Sequence, residues 1–199
     1  MPFYFRLAFA FGIFEKILSL QLKKFLLINL EYFGELEFAE ENMLTIKRAQ
    51  IEDAEEITKI KTAAFNKEIN TYLGRDGGPP GYNKVESELE IIDKFLAYKI
   101  LLDGCIIGAF FLYSEGEDIL HFEDFVINPE YQGKGYGYKV LCMVQELYPQ
   151  IREWKLSTPI FSVGNQHLYE KFGYVETGRD SDEIFYSKSL FGGGDGNRN

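Results

Sequence analysis

The sequence predicts a layered domain of the α+β class (three layers, α/β-like) over residues 43–190, in which strands and helices share one core. Its centre is the stretch 121–147, where an apolar strand leads into a glycine-rich turn and then into residues at helical spacing. The pair Asp103-Gly104, which lies between two apolar runs, indicates a hairpin. A content of 46% hydrophobic and 16% aromatic residues is enough for a core.

The first half of this domain begins with an alternating strand, 44–48. A helix then opens near residues 51–53 and runs to Phe65, with Asp53 as its predicted cap and Glu56 as the reciprocal partner. Residues 70–83 are rich in glycine and proline, which predicts a long loop of the kind that often carries function. A second helix is expected over 85–96.

The second half follows the hairpin strands 99–102 and 106–114. The central strand 121–127 ends at Asn128-Pro129, because proline cannot continue a ladder. A helix after the glycine turn, a strand over 154–158, a short helix over 165–172 ended by Gly173, and a last strand over 183–188 complete the order.

The two ends differ from this domain. Residues 1–42 form an apolar leader that charged residues interrupt, so that no run approaches the roughly 18–20 apolar residues of a membrane span. A secretory signal is not indicated either. We expect the leader to be upstream coding sequence or an accessory anchor, and residues 191–199 to be a flexible tail.

Charge and cysteine content restrict the partners. The formal net charge of -10 argues against nucleic acid, which requires basic patches. The two cysteines, Cys105 and Cys142, have neither metal-binding nor disulfide-framework spacing. We therefore expect both thiols to be reduced and to lie in the core, and we expect no metal site. Reduced thiols are consistent with a cytoplasmic location. We also expect no membrane partner.

The glycine turn predicts an anion site. Gly133, Gly135 and Gly137 allow backbone N–H groups to converge, and the N-terminus of the following helix adds partial positive charge. Lys134 can face bound phosphates. A dinucleotide-binding turn is the main alternative, with Glu153 near the ribose-binding position, but that motif follows its strand more directly. A structural turn without a ligand is the other alternative.

Two motifs now stand in order, about 30 residues apart: Gln132-Gly133-Lys134-Gly135-Tyr136-Gly137, and Asn165-Gln166-His167-Leu168-Tyr169-Glu170-Lys171-Phe172-Gly173-Tyr174. Together with the element order they resemble the GCN5-related N-acetyltransferase (GNAT) superfamily. The resemblance implies a mixed, mostly antiparallel sheet that splays between its fourth and fifth strands, with helices on both faces. It also implies acetyl-coenzyme A as co-substrate.

The resemblance places the cofactor on named residues. Its pyrophosphate is expected on the backbone of residues 132–137, and its pantetheine arm in the gap between the two splayed strands. Main-chain groups near Val126 and Ile127 would pair with the arm and polarise the thioester carbonyl. Asn165 matches the position that caps the second helix and contacts the arm.

Catalysis requires a base for the acceptor amine and an acid for the leaving thiolate. By strand alternation His121 and Glu123 share a face with Phe125 and Ile127, while Asp124 points the other way. Glu123 is the first candidate base and His121 the second; a strand bulge would restore Asp124 as a third. In the family, the tyrosine that matches Tyr169 reaches the sulfur as acid or hydrogen-bond donor.

The acceptor is less well defined. The loop and helix over 72–96 occupy the region that shapes the acceptor pocket in this superfamily, and the side chains that could receive a cationic amine there are Tyr72, Asp76, Tyr82 and Glu86. We expect an amine N-acetyltransferase that acts by direct transfer on a small molecule, with homodimer formation open. The alternative is a non-catalytic module that binds or senses acyl-coenzyme A.

Overall fold

The computed structural model describes residues 43–190, which form a seven-stranded sheet in the order β1-β2-β3-β4-β5-β7-β6. The strands are β1 Leu44–Arg48, β2 Leu96–Leu102, β3 Cys105–Ser114, β4 Ile119–Ile127, β5 Glu153–Pro159, β6 Val175–Arg179 and β7 Glu183–Ser189. The helices are α1 Ala54–Leu73, α2 Val85–Lys94, α3 Tyr136–Leu147 and α4 Val163–Lys171. All neighbouring strands are antiparallel except β4 and β5, which are parallel. The predicted fold class is thereby confirmed.

The parallel pair opens along its length. β4 and β5 are paired only where they begin, at Ile119/Glu153, Leu120/Trp154 and His121/Lys155. Both strands continue beyond this point, to Ile127 and Pro159, without further pairing to each other. A gap therefore separates the second halves of the two strands, and it is the splay that the resemblance implied.

β4 also contains a bulge. Asp124 has a positive φ of 50°, and the register with β3 shifts between Ala109 and Phe111. Phe122 and Phe125, three residues apart, both pack on Phe110, with ring centroids 4.9 and 6.4 Å away. The bulge reverses the alternation beyond Glu123, so the predicted face shared by His121, Glu123, Phe125 and Ile127 is wrong.

Helices cover the two faces of the sheet. α3 and α4 pack on one face, where a large cluster includes Val140, Val144, Trp154 and Tyr169. α1 and α2 pack on the other face over β2, β3 and the end of β4, through smaller clusters. Val126 belongs to one of these smaller clusters, together with Ile60 and Ala64 of α1.

The β2–β3 hairpin is confirmed as predicted. Asp103 and Gly104 have φ angles of 51° and 84°, the left-handed pair that a two-residue hairpin turn requires. Cys105, at the start of β3, is exposed, and Cys142 is partly buried. The expectation that both are core residues is therefore wrong, although both are free thiols.

The first helix differs from its prediction at both ends. A 3₁₀ turn occupies Ile51–Asp53, and α1 then continues to Leu73, so the predicted loop begins at Gly74. Asp53 occupies the N-cap position of α1 as predicted, but its side chain makes no capping hydrogen bond to the helix. Its carboxylate accepts from the backbone N–H of Gln50 and lies 2.7 Å from Lys99 Nζ, so it is held by partners outside the helix.

One strand was not predicted. β6 is a five-residue edge strand whose side chains are almost all exposed, so its sequence lacks the alternation that marks a half-buried strand. The predictions for the leader and the tail fall on residues 1–42 and 191–199, outside the described residues. Over residues 43–190, no helix combines the length and apolar character needed to cross a membrane.

Candidate active site

The turn that follows β4 has the conformation of an anion site. Gly133 and Gly135 adopt φ angles of 74° and 81°, in the left-handed region that glycine favours. A Cβ on either residue would meet no atom within 4 Å, so the backbone conformation requires glycine while the space around the turn stays open. Gly135 is also the N-cap of α3, whose first-turn amides therefore face the same space.

Other residues of the turn are held by the protein. The side-chain Nε2 of Gln132 donates to the carbonyl oxygen of Ile127 at 2.8 Å, and its Oε1 accepts from Lys67 Nζ at 2.8 Å. Lys134 Nζ lies 5.3 Å from the centre of the Tyr131 ring. Gln132 therefore anchors the turn to β4 and α1, which leaves its main chain for a ligand.

The last two residues of the motif lie in α3, where Tyr136 is the first helical residue. A Cβ on Gly137 would stand 3.2 Å from Leu168 of α4. The missing side chain at Gly137 thus allows α3 and α4 to approach each other, which is a packing role beside the ligand role that was predicted.

Only one of the two predicted main-chain positions clearly faces the gap. A Cβ on Gly108 would collide with the carbonyl oxygen of Val126, so this oxygen points towards β3. The N–H of Asn128 donates to Ile107 of β3 at 2.7 Å. Because successive residues direct their N–H groups to opposite sides, the N–H of Ile127 points towards β5 and the gap. The carbonyl of Val126 thus faces β3, and the contact of main-chain groups near Val126 and Ile127 with the cofactor arm stays a prediction.

Glu123 lies beside an open groove on the α1–α2 side of the sheet, over the part that these two helices leave uncovered. The groove has a volume of about 420 Å³, and its lining comes from β3 to β7: Tyr113, His121, Glu123, Glu153, Lys155, Leu156, Ser157, Thr177, Phe185, Tyr186 and Ser187. Burial, with smaller effects from the charges of Asp124 and Glu183, raises the pKa of Glu123 from 4.5 to about 7. A carboxyl group with this pKa exchanges a proton near neutral pH.

His121 lies at the rim of the same groove. Its Nε2 is 2.6 Å from Glu115 Oε2, and its ring stacks on Tyr113 with the centroids 4.4 Å apart. Its Nδ1 is 3.8 Å from Glu123 Oε1, too far for a direct hydrogen bond. Glu115 also binds Lys155 at 2.8 Å. His121 is thus part of a rim network beside the candidate base.

The bulge brings Asp124 to the same side of the sheet as Glu123, as the sequence argument allowed. Its carboxylate, however, lies 2.7 Å from Lys61 Nζ, and the same ammonium group lies 2.8 Å from Glu88. Lys61 and Glu88 are both buried. A carboxylate that is paired with a buried ammonium group is a poor base, because protonation would break the pair. The geometry therefore favours Glu123 over Asp124.

Tyr169 is buried in α4, and its ring packs against Tyr174 and Tyr186. Burial raises the pKa of its hydroxyl well above its ordinary range, and the negative charges of Glu68 and Glu123 raise it further. The hydroxyl therefore stays protonated at neutral pH and lies in the field of both carboxylates. It is therefore available as a hydrogen-bond donor.

Asn165 does not cap α4. The helix begins at Val163 with Ser162 as its N-cap, so Asn165 lies within the first turn. Asn165 Nδ2 donates to Glu68 Oε1 at 3.2 Å, and the Ser162 hydroxyl donates to the same oxygen. Glu68 was missed by the sequence analysis, since α1 was expected to end at Phe65. Through Lys67 and Glu68, α1 reaches the glycine turn and the start of α4.

The four predicted acceptor residues lie outside the groove. The Tyr82 hydroxyl donates to Asn66 Oδ1 at 2.7 Å, and Asp76 accepts from Asn70 at 3.3 Å, so both stabilise the α1–α2 loop. Tyr72 is exposed beside Phe161, with ring centroids 5.7 Å apart, and Glu86 is exposed on α2. The structure does not gather these side chains into one pocket.

The groove residues missed by the sequence analysis are mainly those of β5 and β7. Apart from Leu156 and Tyr186, they occupy alternate positions, 153, 155 and 157 on β5 and 185 and 187 on β7, so the period of two carried part of the signal. Among residues 43–190, no group of three or more His, Cys, Asp or Glu side chains is arranged to hold a metal ion.

A mixed sheet that opens between two parallel strands, with a glycine turn at the end of one strand and a buried tyrosine opposite, defines an acetyltransferase-type fold. Residues 93–176 match the family model of the acetyltransferase (GNAT) domain. The matched segment contains both motifs, so the match supports the resemblance to the GCN5-related N-acetyltransferase superfamily on which the sequence prediction was based. The comparison with curated proteins gives no match.

Solved structures share this fold. PaiA N-acetyltransferase from Thermoplasma acidophilum, in complex with coenzyme A, is 18% identical, with a TM-score of 0.63 over 74% of this chain and 99% of its own. A chimeric spermidine N-acetyltransferase, SpeG, from Vibrio cholerae and hSSAT is 20% identical, with a TM-score of 0.58 over 73% and 95%. The putative acetyltransferase yncA from Salmonella typhimurium, with its cofactor acetyl-CoA, is 15% identical, with a TM-score of 0.54 over 78% and 98%. At these identities the likeness shows the fold alone.

Proposed function

We propose that this domain transfers an acetyl group from acetyl-coenzyme A to a primary amine, by direct attack of the amine in a ternary complex. The observation that carries the proposal is Glu123, a carboxyl group with a pKa of about 7 beside a groove that adjoins the gap between β4 and β5. A titratable carboxyl group in this place is not needed for packing. It has the properties required of a base for an amine.

The cofactor would lie across the gap. Its pyrophosphate would accept from the amides of the glycine turn and the first turn of α3, and its pantetheine arm would pair with the N–H of Ile127. The open space at Gly133 and Gly135 supports this placement. PaiA and yncA share this fold, and their structures contain coenzyme A and acetyl-CoA respectively, which supports acetyl-coenzyme A as the co-substrate.

The amine requires the base. A lysine-like amine with a pKa near 10.4 is neutral in only about one molecule in 2,500 at pH 7, which costs roughly 4–5 kcal/mol. Glu123 would accept the proton, directly or through water, as the nitrogen attacks the thioester carbonyl. Because its pKa lies near neutral pH, the unprotonated form is available at the working pH while its proton affinity remains useful.

The leaving thiolate requires an acid. The carbon–sulfur bond breaks as the tetrahedral intermediate collapses, and the electron pair stays on sulfur. Tyr169 would donate its proton, or a hydrogen bond, to that sulfur, and the acetylated amine leaves. Three further expectations accompany this proposal: the acceptor is a small molecule, the protein is cytoplasmic, and the formation of a homodimer stays open.

The test is a coenzyme A release assay over a panel of small amines, polyamines, aminoglycosides, amino acids and peptides with free N-termini. We expect at least one amine to be acetylated, with kcat lowered about 10²-fold by Glu123→Gln and about 10-fold or more by Tyr169→Phe. Calorimetry should show that both variants bind coenzyme A like the wild type. If the protein binds coenzyme A but releases none from acetyl-coenzyme A with any amine, and Tyr169→Phe leaves cofactor binding unchanged, the chain is a sensing module instead.

A further inference from the structure

A buried ionic cluster lies under the bulge of β4, outside the groove. Lys61 of α1 is 3% exposed, and its Nζ lies 2.8 Å from Glu88 of α2 and 2.7 Å from Asp124 of β4. Three elements thus meet at one ammonium group. Neither packing nor the proposed chemistry accounts for it, because a buried ion pair is seldom more stable than apolar side chains of similar size.

The cluster offsets the charge repulsion that the bulge creates between two adjacent carboxylates. By shifting the alternation, the bulge directs both Glu123 and Asp124 to the side of the sheet that faces α1. Two adjacent carboxylates on one side repel each other, and Asp124 also holds a positive φ of 50° that L-residues rarely adopt. The Lys61 ammonium offsets the charge of Asp124 and fixes its side chain.

We propose that Lys61 is a positioning residue for acetyl transfer: acting through Asp124, it holds the bulge of β4 in the form that leaves Glu123 as the free carboxylate of the groove. This inference rests on the proposed function only for the consequence on rate. The geometric part, that one carboxylate is bound and its neighbour is free, is independent of the substrate.

The electrostatic surroundings of Glu123 determine what a titration should show. The charged and titratable groups around it are His121 and Asp124 on β4, Tyr113 on β3, Glu183 on β7 and Tyr169 on α4. Among these, Asp124 is the one that Lys61 contacts. Removing the charge of Asp124 should therefore lower the pKa of Glu123, whereas removing Lys61 leaves the charge of Asp124 without its counter-ion and should raise the pKa of Glu123.

The experiment compares Lys61→Met, Asp124→Asn and the double variant with a matched control, Lys99→Met. Lys99 forms a similar, partly buried pair with Asp53 at 2.7 Å, between β2 and the 3₁₀ turn that precedes α1. We expect Lys61→Met to lower kcat about 10- to 100-fold with the KM for acetyl-coenzyme A changed less than threefold. Lys99→Met should lose stability but keep kcat. The double variant should match Lys61→Met, because the two residues act as one unit.

A carbon-13 NMR titration of the glutamate and aspartate carboxyl groups gives a readout without turnover. In the wild type one carboxyl group at the bulge should titrate near pH 7. Asp124→Asn, which keeps a hydrogen bond to Lys61, should move that midpoint to lower pH. Lys61→Met should move it to higher pH, because the charge of Asp124 then acts on Glu123 without a counter-ion. Should Lys61→Met fail to fold, an unaltered Glu123 titration in Asp124→Asn is enough to overturn the inference, because Lys61 is proposed to act through Asp124.

The inference is overturned by a kcat for Lys61→Met that matches the wild type, or by a Glu123 titration unaltered in both Lys61→Met and Asp124→Asn. If no amine is acetylated by the wild type, the proposed function is wrong, and the titration still decides whether Lys61 controls the bulge. Equal losses of kcat in Lys61→Met and Lys99→Met would mark the cluster as ordinary structural support and would also overturn it.

Discussion

The proton affinity of Glu123 has a consequence for stability as well as for rate. Burial and neighbouring negative charge raise its pKa from 4.5 to about 7 in the folded protein. A group whose pKa is raised by folding contributes stability that is fully present below its unfolded pKa and is lost as the pH rises through its folded pKa. Between pH 4.5 and pH 7, ionisation of Glu123 should therefore weaken the fold.

The magnitude follows from that rise. One pKa unit corresponds to about 1.4 kcal/mol, so the rise from 4.5 to about 7 sets an upper value of about 3 kcal/mol. The Glu123 side chain is 25% exposed, and solvent screening lowers the effect. We expect Glu123→Gln, which has no charge to acquire, to gain about 1–3 kcal/mol in the free energy of unfolding relative to the wild type between pH 4.5 and 7.5.

Urea unfolding of both proteins at the two pH values measures this gain, because all other titrating groups cancel in the difference. Glu117→Gln serves as the control for the loss of one carboxylate, since Glu117 is exposed in the β3–β4 turn, away from the groove. If the advantage of Glu123→Gln is the same at pH 4.5 and pH 7.5, Glu123 titrates normally, and the argument for it as the base is refuted.

Two further predictions concern the reaction and the cofactor. The pH profile of kcat/KM should rise with pH through a limb near pH 7, the pKa of Glu123, and Asp124→Asn should move that limb to lower pH; a limb below pH 5 would contradict this assignment. Gly135→Glu should weaken coenzyme A binding at least 100-fold in calorimetry, because a side chain at a φ of 81° is strained and its charge would lie beside the pyrophosphate. Gly116→Glu, at a φ of 98° in the β3–β4 turn, carries the same strain away from the ligand and should bind normally; equal losses in both would refute the placement.

Much of the fold was predictable because local chemistry dictates it. The Asp103-Gly104 hairpin, the glycine turn and the strand 44–48 each depend on a few adjacent residues. The misses depended on tertiary contacts. α1 runs on past Phe65 because its later residues contact the glycine turn and α4, and those contacts are invisible in the sequence. β6 is held by pairing with β7 rather than by an apolar pattern of its own.

The main-chain part of the candidate site, the glycine turn, was easier to predict from the sequence than the side chains that line the groove. Glu123 and Tyr169 are in places suited to the roles proposed for them. The acceptor residues were sought in the α1–α2 loop, where Tyr82 and Asp76 have internal partners instead. The open groove arises from how far α1 and α2 extend over the sheet. That extent is a property of the assembled layers and not of any one segment.

The bulge at Asp124 connects the packing of the core with the position of the candidate base. In a regular strand Phe122 and Phe125 would face opposite sides, because side chains alternate with a period of two. One phenylalanine would then leave the core, and the Asp124 carboxylate would enter the cluster around Phe110. Burying an unpaired carboxylate there would cost several kcal/mol, whereas a left-handed aspartate costs about 1–2 kcal/mol. The bulge is therefore the less costly solution for the residues 122–125. The free carboxylate at Glu123 follows from the same packing that places both phenylalanines in the core.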